Sequence, residues 1–226
     1  VVVANPNGIT VNGGGFLNTE HAVLTTGRTE LDGAGNLQNY RVEQGKVSIE
    51  GKGLDGKSAD SVSILARTID VNAGVWANKL NTRTGQNNID AKNLKATALD
   101  LSSTETKPTI GLDVAAVGGM YANHITMVGT EAGVGVNLNG VVAGTQSVSV
   151  DANGHLSVNG TLQSDTSLVA KANSIQNTKT IASGGNLALE TKELTNTGHI
   201  TSAKNGYVKV KETLTNKNTM AAGANT

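Results

Sequence analysis

Ile175-Gln-Asn-Thr178, Leu194-Thr-Asn-Thr197 and Leu214-Thr-Asn-Lys217 are three versions of one phrase, apolar-polar-Asn-polar, with starts 19 (194 − 175) and then 20 (214 − 194) residues apart. Leu162, Ile181, Ile200 and Met220 form a second column at intervals of 19, 19 and 20. A period near 20 is too short for a helical hairpin repeat and fits one turn of a coil of strands. One such turn cannot bury its apolar face alone, so stacked turns share a continuous core. The matching asparagines Asn177, Asn196 and Asn216 are expected to stack inside it, because an Asn amide can bond its equivalent one layer away. The alternative is that they are surface turn residues.

Working outward from the repeats, short alternating runs recur along the chain, as in Gly8-Ile-Thr-Val-Asn12, Val47-Ser-Ile49, Val62-Ser-Ile-Leu65, Ser147-Val-Ser-Val150 and Leu187-Ala-Leu189. Asn-Gly, Asp-Gly and Gly-Gly turn signals separate them. No window carries a capped 3.6-residue period, so the chain is read as all-β with negligible helix. The connections are a few polar residues, too short for crossover helices. Between Thr25 and Asp60 the turns Asp32-Gly-Ala-Gly35, Glu50-Gly-Lys-Gly53 and Asp55-Gly-Lys57 crowd too densely for uniform coils, and a loop or hairpin is expected around residues 102–108. These features divide the chain near Asn139, into an irregular part, 1–139, and regular repeats, 140–226, on one axis.

Composition narrows the function classes. The 226 residues include 28 Gly but 2 Pro, and aromatic residues make up only 2%. A narrow interior of Val, Leu, Ile and Ala needs few rings. Charge balances, 18 basic against 18 acidic, without the basic footprint of a nucleic-acid binder. Lys204, Lys209 and Lys211 read as outward strand positions. There is no cysteine, which removes disulfides, thiolate metal sites and cysteine nucleophiles. No apolar stretch reaches membrane-spanning length, so no membrane insertion of this segment is expected. The chain opens mid-strand with Val1-Val-Val3 and is read as a piece of something longer.

The sequence offers few groupings suited to chemistry. His21, His124, His155 and His199 show no ligand spacing, so no metal and no cofactor is expected. Asp151-Ala-Asn-Gly154 and Asp32-Gly-Ala-Gly-Asn36 lack the spacing and closing Glu of a calcium loop and read as turns. Paired carboxylates could hydrolyse a polysaccharide, with Asp60, Asp70, Asp90, Asp100 and Asp113 as candidates. A sugar cleft usually offers aromatic platforms, and one Trp with three Tyr is a thin supply. Trp76 is expected to pack against the rod. No catalytic residue is assigned.

Longer phrases carry a family resemblance. Asn5-Pro-Asn-Gly-Ile9, continuing through Asn18-Thr19, resembles the signature of the secretion domain of two-partner-secreted exoproteins, the family of filamentous haemagglutinin, secreted haemolysins and contact-dependent growth inhibition exoproteins. Ala66-Arg-Thr-Ile-Asp-Val-Asn-Ala-Gly-Val-Trp-Ala77 and the stretch from Gly118-Gly-Met-Tyr121 to Val136 resemble later parts of that domain, and the repeats beyond are similar to haemagglutinin-type repeats. The resemblance implies a right-handed parallel β-helix with antiparallel elements outside it. It also implies export by a Gram-negative bacterium, through the periplasm, to the medium or cell surface. The partner it implies is an outer-membrane transporter with periplasmic domains, with host or neighbouring-cell receptors engaged by distal regions. It points to Asn5, Pro6, Asn7, Gly8 and Ile9 as a secretion motif. Two features depart from the family pattern: the first portion, with its capping strands and related Asn-Pro-Asn-Leu motif, does not precede Val1, and Val11 and Gly14 stand where some relatives carry cysteines. The residues alone say that Asn5-Pro-Asn-Gly8 is a firm turn. Three readings follow: an export module and filament base, a β-helical polysaccharide lyase or hydrolase, and an adhesin whose rod surface binds cells.

Overall fold

The computed structural model describes residues 1–99, 101 and 106–223. Its main body is a parallel β-solenoid whose coils have three faces, with no helix among the described residues. The repeat Ser167–Ser183 shows how one coil is made. Residues 167–172 lie on face A, the chain bends at Asn173, residues 174–177 lie on face C, and after a corner residues 180–183 lie on face B. Each strand pairs in parallel with its equivalent one coil away, so the strands of an inner coil are hydrogen-bonded to the coils above and below.

Register aligns the apolar residues in columns. On face C the column is Ile9, Val47, Ile69, Leu112, Val136, Leu156, Ile175, Leu194 and Leu214, nine rungs deep. On face B, Leu54, Val75, Met120, Val142, Leu162, Ile181, Ile200 and Met220 follow one another. On face A, Ala22, Val62, Leu80, Ile125, Val148, Leu168 and Leu187 do the same. The three columns form one hydrophobic cluster, with Ile9 and Met220 partly buried at its edges, while Leu214 on the last rung of face C is exposed. Alternation does this: period-2 side chains send every second residue inward and leave the others outside. Leu187 and Leu189 are both buried.

The irregular part has a specific layout. Two segments leave the rod at the same corner, between faces A and C. Arg28–Leu31 and Leu37–Val42 form a hairpin there, and Asn87–Asp90 with Ala96–Ala98 leave two coils further on. They join in one four-stranded antiparallel sheet outside the solenoid. It buries Tyr40, Val42 and Ile89 against Val23 and Leu65, which face outward from face A. Arg83 is trapped beneath this sheet, its guanidinium satisfied by the carbonyls of Leu94 and Thr82 at 3.0 Å each; burial lowers its pKa from the usual arginine value. At the intervening corner, Arg67 is buried and forked onto Glu131 (Nη2–Oε1 3.1 Å, Nε–Oε2 3.4 Å).

Asp32-Gly-Ala-Gly-Asn36 is the hairpin turn, closed by Asp32 accepting from the Ala34 and Asn36 amides. Two expected turns are corrected. Asp151-Ala-Asn-Gly154 lies inside the continuous strand Val141–Val158, where the chain rounds a corner with only a register shift. Glu50-Gly-Lys-Gly53 lies inside Lys46–Gly56, where Gly51 and Gly53 take φ of 56° and 75° and bend the strand without ending it. A solenoid corner uses turn-type residues without reversing the chain, which is why both stretches look like turns. Of the loop expected around residues 102–108, residues 102–105 lie outside the described residues.

Candidate functional site

The segment Asn5-Pro-Asn-Gly8 is the A–C corner of the first rung, joining Val2–Ala4 to Ile9–Gly15. Its geometry follows from its residues. Pro6 fixes one φ, and the Gly8 amide donates to the Asn5 carbonyl at 3.1 Å, closing the turn. The Asn5 side-chain oxygen accepts from the Asn7 amide at 3.1 Å, and Gly8 takes φ of 127°. Outside the turn, the Asn5 amide donates to the Thr25 carbonyl at 3.0 Å, so the corner is tied to the next coil. Ile9 is half-buried at the top of the face C column.

One coil on, Gly45 lies directly against this turn. It has φ of 86°, and a Cβ there would stand 2.5 Å from the Pro6 oxygen and 3.0 Å from Thr26 Cβ. The hairpin beginning at Arg28 leaves from the same place. Asn7 is exposed, and its side-chain amide has no hydrogen-bond partner among the described residues. The motif is thus a rigid surface feature at one end of the solenoid, offering an unoccupied amide beside the extra-helical sheet. Nothing in the sequence marked Gly45 as its support, because the contact links residues 39 positions apart (45 − 6).

The other expected residues line the interior columns, buried except at the last rung, where Met220 is half-buried and Asn216 is exposed. Leu162, Ile181 and Ile200 are buried in register, with Met220 half-buried at the last rung. Asn177 donates to Asn196 Oδ1, and Asn196 to Asn216 Oδ1, at 2.8 Å each. The same amides reach the carbonyls of His199 (3.1 Å) and Thr219 (3.0 Å), stitching each C–B corner to the next. Above Asn177 the column continues as Val158, Leu138 and Val114, and the Asn177 oxygen is buried without a partner.

The carboxylates proposed for hydrolysis are differently engaged. Asp70 pairs with Lys46 at 2.7 Å, which raises the lysine pKa, and Asp113 accepts from Asn137 at 2.8 Å. Asp90 closes a turn by accepting the Lys92 and Asn93 amides, which lower its pKa. Asp60 precedes the strand Ser61–Ala66, and Asp100 lies outside the described residues. Three of the histidines each sit within hydrogen-bond distance of a serine one rung away: His21–Ser61 at 2.9 Å, His124–Ser147 at 2.8 Å and His155–Ser174 at 2.7 Å. No three His, Asp or Glu side chains converge as a metal site among the described residues. Trp76 packs on the outside of face B, stacked with Tyr121 at 6.1 Å between centroids, and is 36% exposed.

A three-faced parallel solenoid with an antiparallel sheet at one corner and a rigid turn at one end defines the chain as a β-helical rod module. The family model for the TPS secretion domain matches residues 1–158, and the chain belongs to that family. It is similar to the tRNA nuclease CdiA of Escherichia coli strain NC101, 41% identical over 192 residues, covering 85% of this chain and 6% of that protein. It also resembles the 16S rRNA endonuclease CdiA of Enterobacter cloacae, 36% identical over 227 residues, covering 100% of this chain and 7% of the relative. The chain therefore spans only a small fraction of these relatives. Among solved structures, the filamentous hemagglutinin secretion domain superposes with a TM-score of 0.62 at 25% identity, covering 98% of this chain and 66% of that one.

Proposed function

We propose that this chain is the export module and filament base of a large exoprotein, an adhesin or contact-dependent toxin delivered to the cell surface or medium of a Gram-negative bacterium. The reading rests on the family match over residues 1–158, joined without a break to regular coils that continue along the same axis. The partner is an outer-membrane transporter with periplasmic domains, and Asn5, Pro6, Asn7, Gly8 and Ile9 supply the determinant it reads. Residues 1–139 are the secretion part and 140–226 the first filament repeats. Both excursions from the rod fall before residue 139, which supports that division.

The solenoid also provides a driving force. The outer membrane holds no ATP, so passage needs another bias. Folding gains roughly 0.05–0.15 kcal/mol per residue, hence about 1–3 kcal/mol for a coil of about 20 residues. Each coil contacts only its neighbours, so coils add one at a time to a nucleus already outside. Backsliding becomes unfavourable by about 5- to 150-fold per coil. With no cysteine, no disulfide locks the chain before it threads.

The module itself carries no reaction in this reading; the nuclease activities in the relatives' names belong to whole proteins of which this chain covers 6% and 7%. Asp70 and Asp113 are adjacent in register, but each is held by a polar partner. The testing experiment is secretion of the full-length parent by its transporter with Asn7→Ala. Secretion should fall sharply while the protein accumulates in the periplasm. Secretion equal to the parent's, with both proteins equally stable, removes the motif from the mechanism.

A further inference from the structure

On face B the outward-facing residues of five successive rungs are Asp55, Trp76, Tyr121, Ala143 and Gln163, in register along the rod axis. The two rings stack at 15° to each other and are each 36% exposed. Each leans back over a glycine two residues earlier: a Cβ on Gly74 would run into the Trp76 ring, and one on Gly119 into the Tyr121 ring. The glycines let the rings lie down on the backbone, so their orientation is fixed before any ligand arrives.

Beyond Tyr121 the column drops to the small Ala143 and then rises at Gln163. A cavity of about 390 Å³ results, walled along the neighbouring corner by Asn78, Asn123, Thr145 and Asp165. Asn123 Oδ1 is fixed by the Thr145 hydroxyl at 2.7 Å, and Asn78 by two carbonyls at 2.9 Å. At the ring end, the charges of Asp55 and Lys57 compensate each other at 3.6 Å. The groove is straight, aromatic on its floor and lined on its wall mainly by amides and hydroxyls; with Asp55 and Lys57 paired, Asp165 is the one carboxylate of the lining without an ion-pair partner among the described residues.

That combination defines a ligand class. Aromatic faces are electron-rich and attract the C–H face of a flat pyranose ring, while amides and hydroxyls exchange hydrogen bonds with its hydroxyls. A straight floor whose rungs stack in parallel register suits a chain that does not curl. We propose that this groove is a non-catalytic binding surface for a neutral, unbranched β-1,4-linked hexopyranose chain lying along the rod axis. It gives this module a contact surface of its own, separate from the secretion motif at the A–C corner.

Trp76 is the single tryptophan of the chain, so its fluorescence reports on this surface alone. Titration of the 226-residue chain with cellohexaose should give a saturable change in that emission, and maltohexaose, whose α-linkages curl it, should bind at least fivefold more weakly. By calorimetry, Tyr121→Ala and Trp76→Ala should each weaken cellohexaose binding at least tenfold, and Gln163→Ala by a few-fold. All three positions are exposed, and unchanged thermal melts would establish that the fold survives. Absence of saturable binding to either oligosaccharide overturns the proposal. So does binding that Tyr121→Ala and Gln163→Ala leave unchanged, or binding that does not discriminate the two linkages.

Discussion

The Asn177 side chain donates to Asn196 Oδ1 across one coil at 2.8 Å, and in return nothing reaches the Asn177 oxygen, which is buried against the rung carrying Val158. The asparagine ladder therefore has a beginning. It starts in the rung after residue 158, where the family match ends, and the same column above it is aliphatic. Inside the rod, one column changes chemistry from packing to hydrogen bonding at that point.

The two ends of this ladder should respond differently. Asn196 both donates and accepts, so Asn196→Leu takes one of the two acceptors from the buried Asn177 amide and the donor from Asn216 Oδ1, and is expected to cost about 1–3 kcal/mol. Asn177→Leu removes an oxygen that had no partner and continues the apolar column, and should cost less. Urea melts of the two variants give the order; a larger loss for Asn177→Leu would mean the ladder is not what holds these corners.

Ile181 is fully buried between Leu162 and Ile200. Ile181→Ala should cost about 2–5 kcal/mol through the cavity it leaves. Ile181→Asp buries an unpaired carboxyl and should cost several kcal/mol. Met220→Ala, at the half-buried last rung, should cost less than Ile181→Ala. Thermal denaturation measures all three, and an Ile181→Asp variant melting like the parent would refute the register.

Gly45→Ala forces a positive-φ alanine against the Pro6 carbonyl. The strain should cost about 1–3 kcal/mol. It should also displace the Asn5–Gly8 turn, so exported amounts of the full-length protein should fall as they do for Asn7→Ala. Normal export of a measurably destabilised Gly45→Ala protein would separate the turn's shape from its role.

His155 is half-buried beside Ser174, and desolvation lowers its pKa below the usual histidine value. The unfolded chain therefore takes up a proton on this residue more readily than the folded one. Its contribution is in full force above the unfolded pKa, near 6.5, and is lost as pH falls through that value toward the lower folded one. His155→Gln should flatten this part of the stability curve between neutral and mildly acidic pH, read by urea melts at a series of pH values. A parent curve that does not decline there contradicts the assignment.

The regular coils were legible because their signal is local and repeated. Leu162, Ile181 and Ile200 recur at a fixed spacing, and alternation alone turns Leu187 and Leu189 inward. Corners were less legible: Gly51, Gly53 and Gly154 look like reversals but only steer a strand around an edge, since ladder pairing continues on both sides. The extra-helical sheet was harder still. Arg28–Leu31 and Ala96–Ala98 belong to one sheet only because two insertions share a corner, which no local pattern states. The aromatic groove did leave a trace, since Gly74-Val-Trp76 and Gly119-Met-Tyr121 both place a glycine two residues before a ring. That spacing becomes informative once strand direction puts the ring over the glycine.

The most direct test of the export account compares two deletions in the full-length parent, expressed with its own outer-membrane transporter. Removing residues 1–158 takes away the matched secretion domain. Removing residues 175–193 takes out one 19-residue coil and leaves its neighbours to restack in register. Secreted protein is quantified in the medium and at the cell surface against the periplasmic pool. The account predicts that the first deletion abolishes secretion and the second leaves it nearly intact. Secretion that persists without residues 1–158 would contradict it.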